Sequence, residues 1–520
     1  MLSVVTAYIA KSFVLRDYRR EDEWHLFAFL AIYLAAWTLL VGLLPLSMFR
    51  DSVEEVVWSQ TWQWGYYKHP PLPSILMSGL NHLFGGPSMW LTILAAQGCN
   101  VIALFYVWLL AKRILPSKLA IVAVLITSLI GYHNFRATVF DHNTVSLPVT
   151  AAIWYYFYLA LRRPERLLTW LILGIACGLA MLTKYSAILV LASVFVTVIW
   201  LRLWSNPRVI RGLLISILAF SLVIYPNVMW LINHNWQPFT YLNGELNTLD
   251  SRFALLSDFF MGQSFRFWYM FVAVWFLSRI SPRKLLITDT KKSYSCVDNG
   301  QFLLITLFTP LILALLPLLI NGSFISRNWV TAFFLPAGIL LVKYFFRQYN
   351  EHQLLKNTWR VVGSIQALVL LIFLIITVFY PAISGDAVRT NFPAQLFAEK
   401  ASTIWQEHQP QPLTIVIADT WLGGNVLLHT QPEPTLLMNN DITISPWLNR
   451  QDIANCGALV LTELAEKNLP AYSALFNQAQ TTGTFSLNWG HTSHVEVMQY
   501  AWAILSPEPN AAPCRFHHAD

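Results

Sequence analysis

The feature that most constrains this chain is a succession of apolar stretches, each close to the length a helix needs to cross a bilayer. They fall near 25–48, 89–111, 119–135, 143–161, 167–183, 186–204, 209–232, 265–280, 301–320, 329–346 and 361–380. A helix rises about 1.5 Å per residue and the hydrocarbon core is about 30 Å thick, so about 20 apolar residues make a span. The stretches at 119–135 and 265–280 are short or polar at one end. Composition agrees: 56% of the 520 residues are hydrophobic and 12% are charged, where a soluble domain carries about 25% charge. The 22 Trp, 20 Tyr and 33 Phe suit the membrane–water interface, and flat rings also suit sugar faces.

Charge placement then gives an orientation. The net charge of +7 does not point to nucleic acid, because the basic residues sit in short clusters between apolar runs. With a cytoplasmic N-terminus, the inside segments hold Lys11 to Arg20, Lys112 to Lys118, Arg162 to Arg166, Arg202 to Arg211, Arg279 to Lys292 and Lys343 to Arg360. The outside loops before the tail hold only Arg50, Lys68, Arg136, Lys184, Arg252, Arg266 and Arg327. This asymmetry predicts an odd number of spans and an external C-terminus. The first apolar run follows a polar stretch, Lys11 to Glu23, and lacks a small-residue cleavage site, so it reads as a retained span.

Residues 381–520 differ in kind. Short apolar runs at Leu413–Ala418, Pro434–Met438, Ala458–Leu464, Gly483–Trp489 and Val495–Tyr500 read as strands, with helices near 393–408 and 467–479. The chain thus divides into a membrane domain, 1–380, with external loops 49–88 and 226–264, and a small external α/β domain, 381–520. Cys99, Cys177 and Cys296 read as apolar fillers, whereas Cys456 and Cys514 fall where a disulfide is permitted. The spacing of Cys and His matches no metal motif.

Polar residues concentrate in the loops assigned to the outside. Asp51 lies just past the first span, and Glu54 and Glu55 follow one helical turn later. A carboxylate beside another at a membrane surface is a candidate general base or cation ligand. Trp58, Trp62, Trp64, Tyr66 and Tyr67 precede Lys68-His69-Pro70-Pro71, where paired prolines force an extended corner. Lys184 stands between two apolar stretches with no acid near it in sequence, and can neutralise a lipid phosphate or snorkel to the interface. Asp141 reads as a helix N-cap, beside His142.

The ordered string Asp51, Glu54, Trp58-Ser59-Gln60, Trp64-Gly65-Tyr66-Tyr67 and His69-Pro70-Pro71-Leu72 resembles the first external loop of bacterial relatives of the dolichyl-phosphate-mannose protein mannosyltransferases. The lipid A aminoarabinose transferases belong to the same broad GT-C group. Further segments are similar in order: Phe140 to Thr144, Gly178 to Tyr185, Tyr225-Pro226-Asn227 through His234-Asn235-Trp236, Arg327-Asn328-Trp329, Ala418-Asp419 and Ser445-Pro446-Trp447. Members usually read Asp-Glu at the start of the first loop; here Asp51 is followed by Ser52, and Glu54 is the candidate second carboxylate.

The resemblance implies an α-helical polytopic membrane protein of about 11–13 spans, of GT-C type, with a small C-terminal external α/β domain. It implies transfer of a sugar from a polyprenyl-phosphate carrier to an envelope acceptor (lipid, glycan or protein) at the outer face of a bacterial inner membrane. Asp51, Glu54 and His69 would be catalytic. Lys184, Tyr185, Asp141, His142, Tyr66, Tyr67, Arg327, Trp329 and His234 would bind substrate. A divalent cation at Glu54 and Asp141 is compatible with this, though nothing in the sequence demands one. The competing expectation is a transporter or flippase of a lipid-linked or small polar substrate, which calls for mid-membrane charges and an internal repeat. The notable charges lie at one face instead.

Overall fold

The computed structural model describes residues 21–246, 251–283, 298–324, 326–384, 388–489, 497–509 and 511–516. The basic cluster before Glu21, together with Lys284, Lys291, Lys292 and Cys296, lies outside them. Every apolar stretch is helical. Among the described residues six helices are long and apolar enough to cross a membrane: Asp22–Leu43, Met89–Ile114, His142–Arg162, Pro207–Asn233, Asn299–Ile320 and Glu351–Phe379. Two bent pairs bring the number to eight, and Leu167–Thr183 and Tyr185–Trp200 are shorter apolar helices. The stretch at 265–280 is the second half of a longer helix, Arg252–Ile280, which also carries Asp258, Gln263 and Arg266.

Close helix approach relies on small residues, because lipid supplies no hydrophobic drive between helices. A Cβ on Gly174 would lie 2.3 Å from the Ser216 carbonyl oxygen, and one on Gly212 would lie 2.2 Å from the Trp170 ring. The Leu167–Thr183 and Pro207–Asn233 helices are therefore packed backbone against ring, and Ser216 Oγ donates to the Trp170 carbonyl at 2.7 Å.

One bend positions the site. The Ser117–Thr127 helix meets Gly131–Thr138 at 76°. A break in a helix frees carbonyls that lipid cannot satisfy, so protein must. Asn134 Nδ2 and Gln366 Nε2 both donate to the Ser128 carbonyl, at 3.1 and 3.2 Å. Tyr33 Oη and Asn100 Nδ2 both donate to the His133 carbonyl, and Gln97 Nε2 donates to that of Ala137 at 2.9 Å. This lattice holds the backbone on either side of Arg136.

Helices also fill the first loop, at Arg50–Ser59 and Leu72–Phe84, and Gln237–Leu246 fills the later one. The C-terminal sheet has the order β2-β1-β3-β5-β4, with β1 Ile415–Ala418, β2 Thr435–Met438, β3 Ala458–Glu463, β4 Thr481–Asn488 and β5 Val497–Leu505. Strands β2, β1 and β3 run parallel; β3–β5 and β5–β4 are antiparallel. Strand β1 is buried along its whole length, as a covered central strand must be. Strand β5 runs on to Leu505, beyond the expected end at Tyr500, because Ala501 to Leu505 continue its pairing with β3. The Thr420–His429 and Arg450–Cys456 helices were not read from the sequence. Cys456 and Cys514 are disulfide-bonded.

The two expected domains share a core. Val53, Val56 and Val57 of the Arg50–Ser59 helix pack with Leu422 and Val426 of the Thr420–His429 helix. A Cβ on Gly424 would lie 2.2 Å from Val53 Cγ1. The sheet domain thus presses directly on the helix that bears Asp51.

Candidate active site

The Arg50–Ser59 helix divides its acids by face. With Val53, Val56 and Val57 committed to the sheet domain, Asp51 and Glu55, four residues apart, share another face. Glu54 turns away and is bonded by Lys68 Nζ at 2.7 Å, with Tyr67 Oη at 3.5 Å. Lys68 also lies over the Tyr67 and Tyr241 rings, at 5.1 and 5.3 Å.

Arg136 joins the two aspartates. One of its nitrogens, Nη2, reaches Asp51 Oδ2 at 2.5 Å and Asp141 Oδ2 at 2.7 Å. The side chain of Asp51 is 46% exposed and that of Asp141 is closed off at 0%, so Asp51 is the open member of the pair. Asp141 caps the His142–Arg162 helix through a bond from the Thr144 N–H at 2.8 Å. Capping and ion pairing coexist, one on each carboxylate oxygen.

Asn143 is the node. Its Oδ1 accepts from Lys184 Nζ at 2.5 Å, and its Nδ2 donates to Asp141 Oδ2 at 2.9 Å. Lys184 is buried in the turn after Leu167–Thr183, with its ammonium 5.5 Å from the centre of the Trp329 ring. Burial pulls Lys184 down to about 7, with the charge of Asp141 opposing.

His69 is fixed by the turn that precedes the two prolines, where its carbonyl accepts from the Tyr66 N–H at 3.0 Å. Its ring lies 3.6 Å from the ring of His142, centre to centre. Behind them Glu55 is buried, accepting from Ser74 Oγ at 2.7 Å, with Oε1 3.9 Å from His142 Nδ1. Burial raises the Glu55 carboxyl well above the usual range, and burial lowers His69 well below it, with His142 and Lys184 adding to the effect.

Asp51, Asp141, His69, His142, Lys184 and Trp329 therefore converge. Tyr66 does not join them: it stacks on Trp58 and gives its hydroxyl to the carbonyls of Trp58 and Thr61. Tyr67 stays with Glu54 and Tyr241. Tyr185 is next to Lys184, and its hydroxyl accepts from Asn227 Nδ2 at 3.3 Å. His234 stacks on Trp230 and donates through Nδ1 to the Trp230 carbonyl at 2.8 Å. The Arg327 side chain lies outside the described residues. Glu54 and Asp141 share no partner as a cation pair would require. Among the described residues no three His, Cys, Asp or Glu side chains group as metal ligands. A guanidinium fills the position between Asp51 and Asp141 that a cation would take.

Residues 68–230, which include His69, Asp141 and Lys184, match the family model described as dolichyl-phosphate-mannose-protein mannosyltransferase. The lipid A galacturonosyltransferase RgtD of Rhizobium johnstonii is 27% identical over 190 residues, 36% of this chain and 39% of that protein. The chain thus spans about two fifths of the length of that curated relative. The crystal structure of ArnT from Cupriavidus metallidurans bound to undecaprenyl phosphate superposes with a TM-score of 0.62 at 12% identity, over 93% of this chain and 98% of ArnT. Its apo form gives 0.61 with the same coverage. The chain has the GT-C fold. Within that fold the sequence reading missed Arg136, counted only as an outside base. It also chose Glu54 over Glu55. The signal for Arg136 was its place five residues before Asp141, on the same predicted side; nothing local distinguished Glu55.

Proposed function

We propose that this protein is a glycosyltransferase of a bacterial inner membrane. It takes a sugar from a polyprenyl-phosphate carrier at the external face and passes it, with inversion, to a lipid, glycan or protein of the envelope. The observation that carries this reading is the convergence of Asp51, Arg136, Asp141, Asn143 and Lys184 from separate segments in one bonded cluster. The undecaprenyl phosphate of the ArnT structure supports a polyprenyl-phosphate donor, and the Rhizobium relative supports lipid A as one acceptor class. The bonded Cys456 and Cys514 support an oxidising, external location for the sheet domain.

In this reading the carrier enters from the lipid with its phosphate toward Lys184 and the face of Trp329. The acceptor hydroxyl gives up its proton to a base of the cluster as its oxygen bonds to the anomeric carbon, and the carbon–oxygen bond to phosphate breaks. The electron pair leaves on the phosphate, where a pre-placed cation stabilises it without reorganisation. Asp51, half exposed and steadied by Arg136, orients the acceptor. If the acceptor is itself a phosphate, this orienting role is what remains.

Asp51→Asn in the purified protein, with a radiolabelled sugar on an undecaprenyl-phosphate carrier and an envelope-lipid extract, is expected to lower covalent transfer at least a hundredfold. Wild-type transfer by a folded Asp51→Asn variant would falsify the role of Asp51. Movement of labelled carrier across the bilayer without attachment to any acceptor would favour the flippase.

A further inference from the structure

The reading above leaves a half-buried histidine, a buried one and a buried acid without a task. Glu55, His142 and His69 form a row. The amide of Asn143 fixes its sense. With Oδ1 taken by Lys184, Nδ2 faces Asp141 and lies 3.4 Å from His142 Nε2, so it donates there. That leaves the His142 proton on Nδ1, toward Glu55 Oε1 at 3.9 Å. Ser74 holds the other Glu55 oxygen at 2.7 Å. His69 is clamped between His142, at 3.6 Å, and the edge of Trp58, at 6.2 Å. His142 is 8% exposed and Glu55 2%, whereas His69 retains some open surface.

Two imidazoles at 3.6 Å cannot both be cationic without a strong penalty. The charges facing the imidazoles come from several elements: Lys184 and Lys68 act on both rings, Arg136 on His142 and Asp141 on His69, while Asp51 and Glu54 act on Glu55. Arg136 and Lys68 are paired with other acids, and the Glu55 carboxylate lies beside the imidazole pair, with Oε1 3.9 Å from His142 Nδ1. We propose that Glu55, His142 and His69 act as one proton-holding unit in the transfer, with Glu55 and His142 as positioning residues for His69. This inference rests on the glycosyltransferase reading. As the acceptor oxygen bonds to the anomeric carbon and the phosphate departs with the bonding electrons, the acceptor hydroxyl proton passes to His69. Glu55, acting through His142, compensates the charge. The proton returns to water from His69, the open member of the row.

The test has two arms on the full chain in lipid nanodiscs. The first is an NMR titration of the labelled imidazoles, assigned with His69→Gln and His142→Gln, which needs no turnover. Coupled titration of the two rings is expected, with one proton shared between them, and Glu55→Gln is expected to move that step to lower pH. Independent titration of both rings near 6.5, or no response to Glu55→Gln, would overturn the proposal. The second arm is kinetic. Glu55→Gln is expected to lower kcat at least tenfold with an unchanged donor KM, and to shift the acidic limb of the rate profile to lower pH. Glu55→Asp, which keeps the charge, is expected to recover part of the rate and serves if Glu55→Gln does not fold. A change in KM alone, or an unmoved profile, contradicts the proposal. Coupled titration in a protein that transfers no sugar would instead sink the enzyme reading and leave the proton unit standing.

Discussion

Lys184 is held by an amide rather than an acid, and that choice has a consequence. An acid at 2.5 Å would neutralise the ammonium; Asn143 Oδ1 fixes its position and leaves its charge free for a ligand. Burial pulls the Lys184 ammonium down to about 7, so its charge is expected below that pH and increasingly lost above it. A phosphate binds only the cationic form, so binding takes up a proton at higher pH. Affinity for undecaprenyl phosphate is therefore expected to be highest below pH 7 and to weaken as pH rises through 7 to 9. Lys184→Met should remove this dependence and cost about tenfold or more in affinity, the scale of a charge-assisted hydrogen bond. Ligand-induced quenching of intrinsic tryptophan fluorescence reads both effects. Lys184 was legible in the sequence because a lone cation between apolar runs is costly without a task. Its partner was not, since Asn143 is distant in sequence and an amide carries no charge signature.

At the level of elements, the Arg50–Ser59 helix shows where sequence reasoning stopped. Both acids were visible, and so was their spacing. Which one lies beside the histidines depends on which face the sheet domain covers, and that contact spans hundreds of residues. With Val53, Val56 and Val57 docked on the Thr420–His429 helix, Glu54 pairs with Lys68 and Glu55 lies beside His142. Gly424 is the point of closest approach, so Gly424→Leu must push on Val53. Overpacking of this kind costs about 1–3 kcal/mol. The variant is expected to melt several degrees lower and to lose transfer through displacement of Asp51 and Glu55. Gly363, with no atom within 4 Å of an added Cβ, provides the control: Gly363→Ala should retain both stability and transfer. An unchanged melting temperature for Gly424→Leu would mean the two helices are not firmly docked.

On the scale of the whole molecule, hydrophobic run length located a helix at each of the eleven apolar stretches, but among the described residues six, or eight with the bent pairs, are long and apolar enough to be spans, fewer than the eleven to thirteen expected. It was blind to the 76° break after Thr127, since an apolar sequence reads the same whether straight or bent. That break, held by Asn100, Asn134, Gln97 and Gln366, is what carries Arg136 to the two aspartates. Turn residues and alternation located the strands of the C-terminal sheet, but not its order or its seat on the first loop, both of which are long-range. The GT-C fold follows from the superposition, while the sugar, the acceptor and the side of the membrane belong to the proposed function. The most direct test of that function is mass spectrometry of envelope lipids and glycans from a strain lacking this protein, complemented with wild type or with Asp51→Asn/Lys184→Met. The account predicts that one envelope component loses the mass of a single sugar in the deletion, regains it with wild type and does not regain it with the double variant. An envelope unchanged by the deletion, or fully restored by the double variant, would contradict it.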